Sequence, residues 1–197
     1  DLAAHVVDQI ALAAFLLSAL LIAYNIVGYP ALLQLIGRRL PSAQPAVTPR
    51  APWPSVAIIV PVFNEERWIV RKIENTLALR FPGERRIIFA FDGCTDRSVA
   101  LAQEAAAGRQ DIELRVHPGN RGKIAVLNEE IAAVAADVVM LTDASAMLPS
   151  DALERLLPHF TDTAVGIVCP AYAGAEPDSA ESAYWRLQTR LKAIEGA

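Results

Sequence analysis

Basic charge is in short supply. The 197 residues carry 18 Lys and Arg against 22 Asp and Glu, a net charge of −4 with a pI near 5.4. A nucleic-acid-binding face would be basic, so no nucleic-acid partner is supported. Cysteine is scarcer still. Cys94 and Cys169 are too few and too far apart for a disulfide scaffold or a four-ligand zinc site. Two thiols fit a reducing compartment. The three histidines, His5, His117 and His159, show no ligand spacing. Neither G-x-G-x-x-G nor a P-loop occurs, which argues against both of those phosphate cradles. A dinucleotide-dependent dehydrogenase fails on the same ground, since the loop after Val60 has no glycine fingerprint. No internal repeat is visible. The first residue is Asp rather than Met, as expected of a chain cut from something longer.

Apolar side chain is plentiful, at 53% of residues with a mean hydropathy of +0.30, which rules out disorder. It is not spread evenly. Gln9 to Gly37 contains no charged residue, and about 20 apolar residues suffice to cross a bilayer. Tyr24 and Tyr29 sit toward one end, where aromatic rings favour the interface. Asn25, Gly28 and Pro30 predict an end or a kink there. Asp1, His5 and Asp8 precede the run and Arg38 and Arg39 follow it, so the positive-inside tendency places the C-terminal side in the cytoplasm, at the inner (plasma) membrane. A cleaved leader fits less well, because the run is longer than an h-region and lacks a basic n-region; a buried soluble helix is the other alternative. Residues 1–40 therefore read as a transmembrane helix with its flanks. Residues 41–54, with Pro41, Pro45, Pro49, Pro52 and Pro54, read as a linker denied helix and sheet hydrogen bonds. Residues 55–197 read as the globular part.

That part alternates between two periods. Continuous apolar runs at Val56–Val60 and Ile87–Phe91, an alternating one at Ile112–Val116, and runs at Val138–Leu141 and Val165–Val168 predict five strands. Between them, Asn64 is expected to cap a helix running to about Leu79, with Ile69, Ile73 and Leu77 on one face. Thr95 or Asp96 caps a helix ending at Gly108. Gly122 starts another, with Ile124, Leu127, Ile131 and Val134 as its stripe. Ser150 and Asp151 open one more, and Tyr184, Leu187, Leu191 and Ile194 stripe a last helix. This order predicts an α/β fold, a mostly parallel three-layer sheet.

Ligands of such sheets bind beyond the carboxyl ends of the strands. The segments there are Pro61-Val62-Phe63-Asn64-Glu65, Phe91-Asp92-Gly93-Cys94-Thr95-Asp96, Asn120-Arg121-Gly122-Lys123 and Thr142-Asp143-Ala144-Ser145. Carboxylates gathered with one cation suit an anionic ligand bridged by Mg²⁺ or Mn²⁺. These segments, with Leu127-Asn128, resemble the ordered motifs of family-2 inverting glycosyltransferases, which have the Rossmann-like GT-A fold. The leading membrane helix makes the likeness one to processive polysaccharide synthases (cellulose, chitin, hyaluronan and poly-N-acetylglucosamine synthases). It spans roughly Val56 to Tyr172.

The resemblance implies roles. Pro61, Val62, Phe63 and Glu65 would lie against the uridine of a UDP-sugar donor, and Asp92 would hydrogen-bond the uracil. Lys123 would lie near the diphosphate or the acceptor. Asp143 matches the first acid of a D-x-D element that holds the nucleotide sugar and its metal. Ser145 stands where the second acid would be, which puts metal affinity in question. The acceptor would be a growing polysaccharide or, alternatively, a lipid-linked one such as a polyprenyl phosphate. A non-catalytic nucleotide-binding scaffold is the reading from a different class. The family's catalytic base and its Q-x-x-R-W motif are expected beyond Ala197, so these residues are expected to bind donor and turn over little. Bland roles stay open beside these. Asp96 reads as a cap, Cys94 as a small loop residue, and Trp53, Trp68, Tyr184 and Trp185 as packing residues.

Overall fold

A computed structural model describes residues 2–37, 52–170 and 180–195. The linker expected at 41–54 lies, up to residue 51, outside these. The chain divides into two compact units, Val47–Val168 on the one hand and Asp1–Ala46 with Cys169–Ala197 on the other.

In the unit of residues 47–168, four strands pair in the order β3-β2-β1-β4, all parallel: β1 (Val56–Val62), β2 (Arg85–Asp92), β3 (Ile112–His117) and β4 (Val138–Leu141). Parallel neighbours need crossovers, which are α3 (Ile69–Leu77), α4 (Ser98–Ala105) and α5 (Lys123–Ala133). Strand alternation sorts the apolar residues into two layers. Val56, Ile58, Val60 and Val62 of β1 with Ile87, Phe89 and Phe91 of β2 pack against Ile69 and Ile73 of α3 and Ala102 of α4. The intervening Ala57, Ile59, Ile88 and Ala90 are equally buried on the opposite face, where α5 crosses β1 and β2. A short α6 (Ala152–Leu156) continues as a 3₁₀ turn, Leu157–Thr161, and adds Leu153 and Leu157 to the first layer. The three-layer parallel sheet is therefore present, with four strands.

The expected fifth strand is not. Residues 165–168 take no regular structure, and Ile167 is 83% exposed. An apolar run becomes a strand only with a partner ladder, and Gly166 at its centre weakens it further. Two helices also depart from their expected faces. The buried face of α3 is Ile69, Lys72, Ile73 and Thr76, so a lysine occupies a core position. On α5, Val126 and Glu130 are buried while Ile124 is 77% exposed. Glu130 turns inward because Arg115 and His117 of β3 wait there: the Arg115 guanidinium donates to Glu130, and His117 Nε2 lies 3.3 Å from its Oε1. His117 is thus the last residue of β3, one beyond the run expected to end at Val116.

The other unit holds α1 (Leu2–Ala23), a π-helical turn Tyr24–Gly28, α2 (Tyr29–Gly37) and α7 (Ala180–Glu195). His5–Gly37 forms one continuous 33-residue helical run that contains an 18-residue stretch of mean hydropathy 2.4, long and apolar enough to cross a membrane. The expected break at Asn25–Pro30 is only a widening into the π turn. Ser18 and Asn25 donate their side chains back to the carbonyls of Ala14 and Leu21, both at 2.8 Å, which leaves the helix surface apolar. Most of its Leu, Ile, Val and Phe side chains are exposed. In α7 only part of the expected stripe is inward: Leu191 is buried, whereas Tyr184 is exposed and stacks edge-on to Trp185 at 5.5 Å.

Candidate functional site

The register fixes where the strand ends meet. Val62 pairs with Phe91 and Asp92 with His117, and β4 ends one residue before Thr142, whose N–H donates to Ile59 O. The loops 63–68, 93–97, 118–122 and 142–151 therefore emerge at one edge. Among them lies a cavity of about 290 Å³ lined by Pro61, Val62, Phe63, Glu65, Asp92, Asn120, Gly122, Lys123, Asp143, Ala144 and Ser145. All eight candidate residues from the sequence line it. Asn120, Gly122 and Ala144 join them, signalled only by their place inside the motifs.

Asp92 is 3% exposed, at the end of β2. Its Oδ1 accepts from the Arg121 N–H at 3.0 Å and its Oδ2 from the Gly122 N–H at 2.8 Å. It therefore fixes the 118–122 loop as well as lining the cavity. Gly93 makes this possible. Its φ is +65°, and a Cβ there would stand 2.3 Å from Asn120 N, so only glycine lets the two loops touch. Gly122, at φ +90°, then starts α5 and delivers Lys123 to the cavity.

Lys123 Nζ donates to Asp143 Oδ1 at 2.5 Å, with both side chains more than half exposed. The cation of one motif thus sits on the acid of another. Ser145 follows two residues on, exposed in the same turn. Among the described residues, no three His, Cys, Asp or Glu side chains gather to hold a metal ion. Asp143 and Ser145 offer one carboxylate and one hydroxyl. That set suits a hard divalent cation that brings most of its oxygen ligands with it, from phosphate and water, as Mg²⁺ commonly does.

Asn64 does not cap α3. It is the sole non-glycine residue with positive φ among those described, at 53°, and its Oδ1 accepts from the Thr95 N–H at 2.9 Å. The bond is one of a reciprocal set. Glu65 N–H donates to Ser98 Oγ at 2.8 Å, Glu66 N–H to Asp96 Oδ2 at 3.1 Å, and Arg97 N–H to Glu66 Oε2 at 3.2 Å. Asp96 Oδ1 also accepts from Ser98 N–H at 2.9 Å, as a residue opening α4 should. Desolvation works to raise the Asp96 carboxyl, but the bonds from Ser98 and Glu66 outweigh it and hold it below its ordinary value. The loops after β1 and β2 are clasped into one rim. Cys94 is half-buried here, its thiol donating to Val62 O at 3.4 Å and pushed up by burial. Trp53 stacks edge-on to Phe81, 5.8 Å away, and the guanidinium groups of Arg67 and Arg71 lie over the Trp68 ring, 5.3 and 5.5 Å from its centroid.

Beneath the Asp143 turn lies Lys72, fully buried. Its Nζ donates to Thr142 Oγ1 at 2.9 Å and to the Ala146 carbonyl. The amphipathic reading of α3 passed over it because charge is expected outside. A lysine three residues after Ile69 and one before Ile73 was the available signal.

The family description "Glycosyl transferase family 2" matches residues 57–193. The chain belongs to this family. Three curated relatives illustrate its range. A β-monoglucosyldiacylglycerol synthase of Synechocystis sp. is 30% identical over 58% of this chain and 25% of its own length. An N-acetylglucosaminyltransferase of Rhizobium leguminosarum bv. viciae is 32% identical over 58% of this chain and 27% of its own. An undecaprenyl-phosphate 4-deoxy-4-formamido-L-arabinose transferase of Pectobacterium carotovorum is 32% identical over 53% of this chain and 33% of its own. The chain thus spans about a quarter to a third of these relatives. Among solved structures, a mannosyltransferase of Pyrobaculum calidifontis in complex with GDP-Man and Mn²⁺ superposes with a TM-score of 0.68 at 25% identity, over 78% of this chain and 46% of that one. The family and the GT-A-like sheet expected from the motifs are therefore present. The relatives do not single out the processive synthases.

Proposed function

We propose that the cavity at the strand ends binds a nucleoside-diphosphate sugar, with UDP as the nucleotide, for transfer of the sugar with inversion to an acceptor at a membrane. The observation that carries this is the meeting of Asp92 at the end of β2, Lys123 at the start of α5 and Asp143 after β4 in one cavity. In this reading the Pro61–Phe63 backbone, Glu65 and Asp92 face the base and ribose, and carboxylate oxygens suit their N–H and O–H donors. Asp143 and Ser145 would hold Mg²⁺ or Mn²⁺ together with the diphosphate, and the metal would supply charge stabilisation to the departing nucleoside diphosphate. Lys123 leaves Asp143 when the donor arrives and turns its ammonium to the diphosphate. The attack by an acceptor hydroxyl needs a base, which we assign to none of the residues described.

The long apolar helix supports a bilayer partner, at the inner membrane with residues 52–170 on the cytoplasmic side. Residues 1–40, 41–54 and 55–197 then serve as anchor, linker and donor-binding part. A growing polysaccharide is one acceptor. A lipid-linked acceptor is the second reading, favoured by the diacylglycerol and undecaprenyl-phosphate named in two relatives.

Calorimetric titration with UDP and GDP, with and without Mn²⁺, tests the donor site. Metal-dependent binding of UDP supports it. A chain that binds neither nucleotide in either condition overturns it and leaves the scaffold reading. Labelled sugar from a UDP-sugar appearing in the lipid extract or in the insoluble polymer separates the two acceptors.

A further inference from the structure

Three polar residues of α3 and its C-terminal turn face one segment. Lys72 Nζ donates to Thr142 Oγ1 at 2.9 Å and to Ala146 O. Asn75, three residues on and so on the same helix face, donates its Nδ2 to Leu148 O at 2.7 Å and accepts from Leu148 N–H at 2.9 Å. Arg80 N–H donates to Ser150 O at 2.7 Å. From Thr142 to Ser150 the chain is thus tied to α3 at successive points. The first pair of ties brackets Asp143, Ala144 and Ser145, because Lys72 grips the residue before them and the residue after them with one ammonium group.

We propose that Lys72 is a positioning residue for the metal–diphosphate part of the donor site, holding the Thr142–Ala146 turn from beneath so that Asp143 and Ser145 present their oxygens together. The inference rests on the donor-site reading above.

Packing alone does not account for a lysine here. Its neighbours on the buried face are Ile69, Ile73 and Thr76, and an apolar side chain of similar length would fill the space without desolvating a charge. The desolvation is substantial, since burial brings the Lys72 ammonium down to about 8 despite the opposing pull of Asp143. What the apolar residue would not supply is a pair of donors to Thr142 and Ala146. Without them a turn that carries one carboxylate and one hydroxyl, rather than two carboxylates, is held only at its edges, by the Thr142 N–H bond to Ile59 O and the Asn75–Leu148 pair, with no side chain bridging the two residues that flank Asp143 and Ser145. A metal bound through so few protein ligands depends strongly on their preorganisation.

The test compares the full chain in detergent with Lys72→Met and Thr142→Val, measuring thermal melting and the Kd of UDP with and without Mn²⁺. A purely structural lysine predicts that melting temperature and both affinities fall together. Positioning predicts a split. Lys72→Met melts at or above wild type, its Kd for UDP with Mn²⁺ rises at least tenfold, and its metal-free Kd stays within twofold. Thr142→Val, which removes one of the two acceptors, shifts the same Kd in the same direction, and it decides the question if Lys72→Met does not fold. Wild-type Mn²⁺ dependence in folded Lys72→Met, or in Thr142→Val when Lys72→Met is unfolded, overturns the proposal and leaves the donor site standing. Failure of wild type itself to bind UDP overturns the donor site and the proposal with it.

Discussion

Asp143 holds the site's exposed cation before any ligand arrives. Its contact with Lys123 is more than half exposed on both sides, so it contributes about 0–1 kcal/mol to folding and yields easily to a stronger cation. Asp143→Asn should therefore leave the melting temperature nearly unchanged while raising the Kd of UDP with Mn²⁺ at least tenfold, toward the metal-free value. An unchanged Kd in calorimetry would remove Asp143 from the metal site. Gly93 behaves in the opposite way. Any Cβ meets Asn120 N at 2.3 Å in a backbone region unfavourable to L-residues, so Gly93→Ala should cost about 2–4 kcal/mol in denaturant unfolding. Lys72 adds a pH signature. Its folded value of about 8 lies below the ordinary 10.5, so between these values the unfolded chain binds more protons. The stability contributed at this position therefore rises with pH across that window. The unfolding free energy of wild type should gain on that of Lys72→Met between pH 7 and pH 10. The residues of the motifs were legible because each lies within a few positions of a strand end. Lys72 was not, since its partners Thr142 and Ala146 are seventy or more residues away in sequence and only the fold introduces them.

The strands, whose apolar runs are long and bounded by turn residues, were the most legible elements. Helix faces were less so. Ile124 and Ile131 make a better apolar stripe on α5 than Val126 does, yet both are exposed and Glu130 is buried, because Arg115 and His117 of β3 stand beside it and pair with its carboxylate. Removing it should tell. Glu130→Ala strips one of two carboxylates from a partly buried guanidinium, which keeps Glu113 at 2.8 Å, and is expected to cost about 1–3 kcal/mol in chemical unfolding, whereas Ile124→Ala, at an exposed position, should fall within about 0.5 kcal/mol of wild type. The clasp between the loops after β1 and β2 has its own signature. Asp96 is held below its ordinary 3.8, so its contribution is present above that value and is lost as pH falls through the lower folded value. Wild type should be more stable than Asp96→Asn at neutral pH, and acid titration should close the gap below about pH 3.8. Asn64 was read as the start of α3 because Asn commonly caps helices. That it caps the neighbouring loop instead follows from a left-handed backbone that no sequence period reveals.

At the scale of the molecule the apolar run is the plainest feature of the sequence and of the structure alike. Protease treatment of intact spheroplasts checks its orientation: residues 52–170 should resist digestion until the membrane is permeabilised, and cleavage from outside would reverse the topology. The π turn at Tyr24–Gly28 carries one further consequence for that helix. A π turn accommodates a surplus residue, which swings everything beyond it by about 100° around the axis. The two halves of the apolar run therefore present different azimuths, and a companion helix that fits the first half cannot follow the same stripe along the second. Deleting a single residue from that turn would realign the halves while barely shortening the rod, so any assembly built on the offset would be rewired by the loss of one amino acid.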